Sequence, residues 1–222
     1  MADLSGFPIT RRWPPRRADV IQLYSLPTPN GVKASIMLEE CGLDYDVHRI
    51  SIGDPEDQMT PEFLSLNPNN KIPAMIDPDG PGGEPIGLWE SGAMLIYLGD
   101  KTGRFLPREG AARYHTIQWL MFQMGGVGPM AGQAHHFLNY APTMDPPSVL
   151  PYAQDRYRNE VARLYGVLDR RLADRDHVAG PYSIADMAIW PWANGWQGQQ
   201  QDIAAFPHMA AWLERVRADP ST

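Results

Sequence analysis

Sulfur is scarce in this chain. Cys41 is the only cysteine among 222 residues, which excludes an internal disulfide and a Cys-X-X-Cys redox pair. Positive charge is short as well: 19 Lys and Arg stand against 26 Asp and Glu, a net charge of -7, whereas a broad nucleic-acid surface needs clustered cations. The one basic cluster, Arg11, Arg12, Arg16 and Arg17, lies in a Pro-containing N-terminal stretch that reads as an irregular arm over the surface. No apolar segment of the signal-peptide kind follows it, so no targeting peptide is expected and a cytoplasmic location is. No apolar run approaches the roughly 18 residues that mark a spanning helix, and no repeat of solenoid period is present. What remains is ordinary for a globular protein, with 43% hydrophobic and 20% charged residues, and long enough for one large or two modest cores.

The organising stretch is residues 24–33, YSLPTPNGVK. Before it, residues 20–24 (VIQLY) have the β-branched and apolar character of a buried strand. After it, Val32, Ile36, Met37 and Cys41 recur at helical spacing until Gly42 stops the helix. Thr28 and Pro29 fit an N-cap and a first helical position, because the hydroxyl can accept an orphan N–H and the proline ring pre-sets a helical φ. Asn30 and Gly31 then sit in a first turn whose free N–H groups and dipole favour an anion, whether phosphate, carboxylate or thiolate. Cys41 falls on the apolar stripe of that helix, where a buried, inert thiol is expected.

Residues 45–50 (YDVHRI) read as a second strand, joined to the first through the helix and so parallel to it. Residues 61–66 read as a short helix, and the following NPNNKIP cannot be regular helix with prolines at both ends. Residues 74–77 and 86–89, separated by PDGPGGEP, predict an antiparallel hairpin. A helix begins at Glu90-Ser91-Gly92-Ala93 with Ser91 as its N-cap and runs to about Gly103. Strand, helix, strand, helix, strand, strand, helix is the thioredoxin order. Beyond Arg104 no strand pattern is found: helices are expected over 111–138, broken or kinked at GGVGP (125–129), over 152–172, from the capping box Ser183-Ile184-Ala185-Asp186, and over 207–217, with a Pro-rich loop at 139–151. The fold class is therefore α/β plus all-α, with an extension at 1–19, a thioredoxin-like domain at 20–102 and an all-helical domain at 103–222.

TPNGVK, NPNNKIPAMID, WESGAMLIYLGDKTG, QWLMFQMGGVGPMAGQAHHF and YSIADMAIWPW, in this order, resemble the cytosolic glutathione transferases and, among them, the bacterial Nu class. The resemblance implies glutathione as co-substrate, no metal, a homodimer, and a disulfide-bond reductase that uses the glutathione thiolate without an enzyme cysteine. Conventional S-transferase or weak peroxidase chemistry at the same sulfur site is the first alternative, and a non-catalytic binding protein of this fold the second. Thr28 and Asn30 match the Nu pattern for the sulfur site and replace the Tyr, Ser or Cys of other classes. Pro73 is expected to be cis and to leave the Ile72 backbone open for strand-like pairing with the tripeptide. Ser91 is expected to seat the γ-glutamyl carboxylate, with Glu90 on its ammonium, Lys71 and Gln58 near the glycyl end, and Arg156 reaching a second glutathione.

His135 and His136 point in different directions on a helix and have no acidic or Cys partner at ligand spacing, so a metal is not expected. Trp190, Trp192 and Trp196 read as core and wall. Tyr24 reads as a packing residue, with a sulfur contact as the alternative.

Overall fold

The computed structural model describes residues 3–53 and 56–218. The chain divides between Thr102 and Gly103 into two compact units.

The first unit is built on a four-stranded mixed sheet in the order β2-β1-β3-β4, with β1 Ile21–Ser25, β2 Tyr45–Arg49, β3 Ala74–Asp77 and β4 Ile86–Trp89. β2 pairs with β1 in parallel, and β3 is antiparallel to both β1 and β4. Its helices are α1 (Ile9–Arg12), α2 (Gly31–Cys41), α3 (Pro61–Leu66) and α4 (Ser91–Thr102). Alternation along the strands divides the core. Tyr24, Ala74 and Ile76 share one face with Ile50, Phe63 and Leu66, and Leu4 and Ile9 complete that cluster. The N-terminal stretch read as an irregular arm thus carries a turn of helix and two core residues. It is fastened by Asp46, whose Oδ2 accepts the backbone N–H groups of Arg16 at 2.9 Å and Arg17 at 2.7 Å. Arg12 also pairs with Asp57 at 3.2 Å. Met1 lies outside the described residues.

Local chemistry sets the ends of α2. Gly42, at φ 66°, closes it, with Leu43 N–H reaching back to Leu38 O at 3.0 Å. Cys41, its last residue, is half-buried rather than buried, because the helix ends there; its Sγ lies 3.5 Å from Thr102 Oγ1. α4 starts at Ser91 itself, and the Glu90 carbonyl accepts the Met94 N–H at 3.0 Å, so Glu90, not Ser91, precedes the helix.

The second unit is helical: α5 Gly110–Phe122, α6 Gly128–His135, α7 Pro151–Leu172, α8 Ile184–Ala193 and α9 Pro207–Arg217. The GGVGP run interrupts the α-helix as expected, α5 ending at Phe122 and α6 beginning at Gly128, but the chain stays helical across it. Gln123–Val127 is a π-helical turn in which Gly128 N–H donates to Gln123 O five residues back, and the backbone keeps helical dihedrals on both sides. A widened turn absorbs the proline that has no N–H to give, so the chain continues as α6. A second π-helical turn, His136–Tyr140, carries the helical path into what the sequence assigned to a loop. At α8 the expected capping box is present: Ser183 Oγ accepts the Ala185 N–H, and Asp186 returns to the Ser183 N–H at 3.1 Å.

Candidate active site

Strand directions bring distant segments to one edge. Because β1 and β4 both run antiparallel to β3, they point the same way, and α2 and α4 begin at the same side of the sheet. β3 starts at that side, so Ile72 and Pro73 lie there too, just beyond the last β1–β3 pair, Tyr24 with Ala74. β2, parallel to β1, also ends there and leads to the 3-10 turn Asp57–Met59 that holds Gln58.

The turn into α2 is capped by Thr28. Its Oγ1 accepts the Gly31 N–H at 3.1 Å and its carbonyl the Val32 N–H at 3.0 Å, so the helical hydrogen bonding starts at the expected residue although regular helix is counted from Gly31. Asn30 occupies the position before Gly31 with helical dihedrals, φ -84° and ψ -38°. Gly31 is required by proximity: a Cβ there would lie 1.9 Å from Leu26 O and 2.6 Å from Ser25 Oγ.

Ile72–Pro73 is cis. Ser91 is buried in the first turn of α4, where backbone N–H groups and the helix dipole favour a carboxylate. Glu90, beside it, is exposed and held at φ 69°, a region that a non-glycine residue enters at a cost of about 1–3 kcal/mol, as functional turns often do. Gln58 is 8% exposed and its Oε1 is buried without a hydrogen-bond partner. An acceptor in that state has room for one donor from solvent or a ligand. Lys71 is exposed, and its carbonyl is tied to the Asn67 side chain.

Tyr24 is excluded from this constellation. It is fully buried on the face covered by α1, stacked on His48 at 4.6 Å and edge-on to Trp13, whereas Leu23 and Ser25 turn toward α2. Burial pushes its phenol far above the ordinary range, so it stays protonated at neutral pH.

Lys33 was not read as a site residue, and no pattern in the sequence marks it. It is 1% exposed in the first turn of α2. Burial lowers its ammonium to about 7, against the opposing pull of the Glu90 carboxylate. Since the folded value lies below the unfolded value of 10.5, the cost of the buried charge is full below about pH 7 and is relieved as pH rises from 7 to 10.5. Lys33→Met is therefore expected to stabilise the protein by about 1–3 kcal/mol at pH 6, with the gain shrinking toward pH 10. Thermal melts of both proteins at the two pH values check this, and an equal gain at both would remove the buried-charge account.

Arg156 belongs to the second unit. It is exposed on α7 and borders a cavity of about 610 Å³ together with Tyr152, Tyr157 and Asn159. Neighbouring charges on that helix are matched, Arg163 with Glu160 at 2.7 Å and Arg158 with Asp155, while Arg156 has no hydrogen bond or ion pair among the described residues. Asp155, Glu160 and Arg163 line the same cavity, and the Arg163 hydrogen bond, helped by the Arg156 charge, holds the Glu160 carboxyl below its usual range, so the wall carries both signs, with Arg156 as a guanidinium donor that forms no direct ion pair. His135 and His136 form no metal-binding group with other side chains among the described residues.

Comparison with known proteins follows the same division. Residues 28–101 match the family model of the glutathione S-transferase N-terminal domain, and residues 138–220 that of the glutathione S-transferase C-terminal domain. The chain is 49% identical over 205 residues to the disulfide-bond oxidoreductase YfcG of Escherichia coli, covering 91% of this chain and 93% of that protein. It is 42% identical over 215 residues to the disulfide-bond oxidoreductase YghU of the same organism, covering 90% and 72%. Among solved structures it is similar to a glutathione transferase of Burkholderia graminis with two glutathione molecules bound per subunit, with a TM-score of 0.92 and 50% identity, covering 100% of this chain and 93% of that one. A glutathione transferase of Pseudomonas putida with one glutathione disulfide bound per subunit is also similar, with a TM-score of 0.92 and 50% identity, covering 99% and 96%.

Proposed function

The chain belongs to the glutathione transferase family, and on that premise we propose that it is a glutathione-dependent disulfide-bond reductase that works with the sulfur of its co-substrate. The observation that carries this is the convergence, at one sheet edge, of the Thr28-capped turn, the cis Ile72–Pro73 peptide and the Glu90–Ser91 start of α4. Each segment suits one part of glutathione: the helix N-terminus its thiolate, the Ile72 backbone its extended peptide, Ser91 and Glu90 its γ-glutamyl carboxylate and ammonium. Gln58 and Lys71 take the glycyl end, and Arg156 a second glutathione. The activity for which the Escherichia coli relatives are named and the ligands bound in the two bacterial structures support the same assignment. A homodimer in the cytoplasm completes the proposal.

The position of Cys41 supports a mechanism without enzyme sulfur. It ends α2, ten residues after Gly31, which at about 1.5 Å per residue places it roughly 15 Å along the helix from the turn. The thiolate must then come from the ligand. With an ordinary pKa of about 8.5, only about 3% of a thiol is ionised at pH 7. A reduction of ~2 units needs about 2.7 kcal/mol of preferential binding of the anion; the Gly31 and Val32 N–H groups are already taken by Thr28, so this falls to the Thr28 hydroxyl proton, Asn30 and the dipole of α2 in a half-buried turn. In the reaction, a bound thiolate attacks one sulfur of the disulfide and the other sulfur leaves as thiolate. A second glutathione thiolate attacks the mixed disulfide, releasing the remaining arm and forming oxidised glutathione.

Asn30→Ala is expected to raise the pKa of bound glutathione by about 1 unit, and to slow turnover about threefold at pH 7, the loss approaching tenfold as pH falls well below both values. Thiolate absorbance titrated in both proteins measures this, and coincident curves would sink the role. The function itself is tested by calorimetry together with rates on a disulfide and on an aromatic electrophile. Two reduced glutathione molecules or one oxidised molecule per subunit, with disulfide reduction the faster reaction, support the reductase. Faster conjugation would assign an S-transferase instead, and binding without turnover a binding protein.

A further inference from the structure

One cavity in the first unit is not accounted for by the segments that suit glutathione. It encloses about 370 Å³ between the end of β1, the turn, the start of α2 and the edge strand β2. Its apolar walls are Leu23, Leu26, Pro27, Val32 and Val47, and Arg49 is the only charged side chain among the described residues that line it. Ser25 and Ser35 also face it, but their hydroxyls are turned to local carbonyls, Ser25 Oγ to Leu26 O at 3.4 Å and Ser35 Oγ to Val32 O at 3.1 Å. Arg49 is therefore the donor left for a ligand. It is exposed, it sits opposite Ser25 in the β1–β2 register, and it makes no hydrogen bond or ion pair among the described residues. Val47, two residues earlier on the same face, leaves nearly half of its surface exposed although it is apolar.

The volume lies near the lower end of the range for small-molecule sites, about 300–1,000 Å³, and suits one ring-sized group rather than a large ligand. Pro27 and Gly31 line the cavity and also belong to the turn that carries Thr28 and Asn30, so a group seated here lies against the backbone that would hold the sulfur anion. Apolar walls with a single cation at the side are complementary to an aromatic acid.

We propose that this cavity seats one arm of the acceptor disulfide, an apolar, ring-sized group bearing a carboxylate, with the carboxylate on Arg49 and the ring against Leu26, Val32 and Val47. This assignment rests on the reductase function above and names the acceptor class. In the exchange, the glutathione thiolate attacks the outer sulfur and forms the new S–S bond to the outer arm. The seated arm leaves as thiolate with the electron pair of the broken bond.

The test uses dithiodibenzoate and its uncharged parent, diphenyl disulfide. Arg49→Gln is expected to raise KM for dithiodibenzoate about tenfold, the size of one charge-assisted contact, while changing KM for diphenyl disulfide and for glutathione less than about twofold. Val47→Trp, an aromatic replacement that an edge strand accommodates, fills the cavity and should raise KM for both disulfides with an unchanged melting temperature. Equal responses of the two disulfides to Arg49→Gln, or no response to either variant, would overturn the proposal and leave the reductase function standing. Calorimetry of dithiodibenzoate without glutathione separates the two claims. Binding that Arg49→Gln weakens, in a protein that reduces no disulfide, keeps the cavity as an aromatic-acid site and removes its role as an acceptor seat.

Discussion

Asp186→Ala is expected to destabilise the helical unit by roughly 4 kcal/mol, a large part of the roughly 5–15 kcal/mol that keeps a domain folded. The carboxylate is fully buried at the start of α8. Its Oδ1 accepts Val178 N–H at 2.9 Å and Trp212 Nε1–H at 3.0 Å, and its Oδ2 accepts the Ser183 N–H and hydroxyl, both at 3.1 Å. Truncation leaves these buried donors without an acceptor, at about 1–3 kcal/mol each before relaxation, and also removes half of the capping box. Asp186 thereby joins the loop before α8, the cap of α8 and a core tryptophan of α9. Urea denaturation measures the loss. Asp186→Asn, which keeps one acceptor oxygen, should fall between wild type and alanine, and a loss under about 1 kcal/mol for alanine would show that the network is not needed.

Gly31→Ala should have the largest effect on the candidate site. A methyl group 1.9 Å from the Leu26 carbonyl oxygen meets main chain rather than a flexible side-chain end, so either the turn or the first turn of α2 must shift. Thr28 caps through Gly31 N–H, and the same shift displaces Thr28 and Asn30, the residues proposed to hold the sulfur anion. A misplacement of about 1 Å at reacting groups can cost on the order of a hundredfold in rate, and that is the loss expected in disulfide turnover, together with weaker glutathione binding. Gly125→Ala is the control, since a Cβ there meets nothing within 4 Å; it should stay within about 0.5 kcal/mol of wild type. Near-normal turnover by Gly31→Ala would mean that the turn does not hold the reacting sulfur.

Features legible in the sequence are those closed by neighbours in the chain. Thr28 and Ser183 were recognisable as caps because an N-cap oxygen needs only N–H groups two or three residues on. The hairpin β3–β4 was readable from the density of turn residues between two short apolar runs, and the α2 stop from Gly42. The GGVGP run was legible as an interruption because glycine and proline weaken an α-helix, but nothing in their spacing says that a π-helical turn carries the chain across it.

The sequence by itself determined the order of the four strands and of the longer helices, the capped turn at Thr28, the change to all-helical structure after Arg104, and the absence of a cysteine pair. Each follows from backbone preferences and side chains within a few residues. Only the tertiary structure decided that Lys33 is buried while Arg49 lines a cavity, that Gly31 has no room for a methyl, and that Arg12 of the N-terminal stretch pairs with Asp57. Burial and close approach are set by which segments the sheet order brings together, and partners such as Arg12 and Asp57, 45 residues apart, leave no periodic or local mark in the chain.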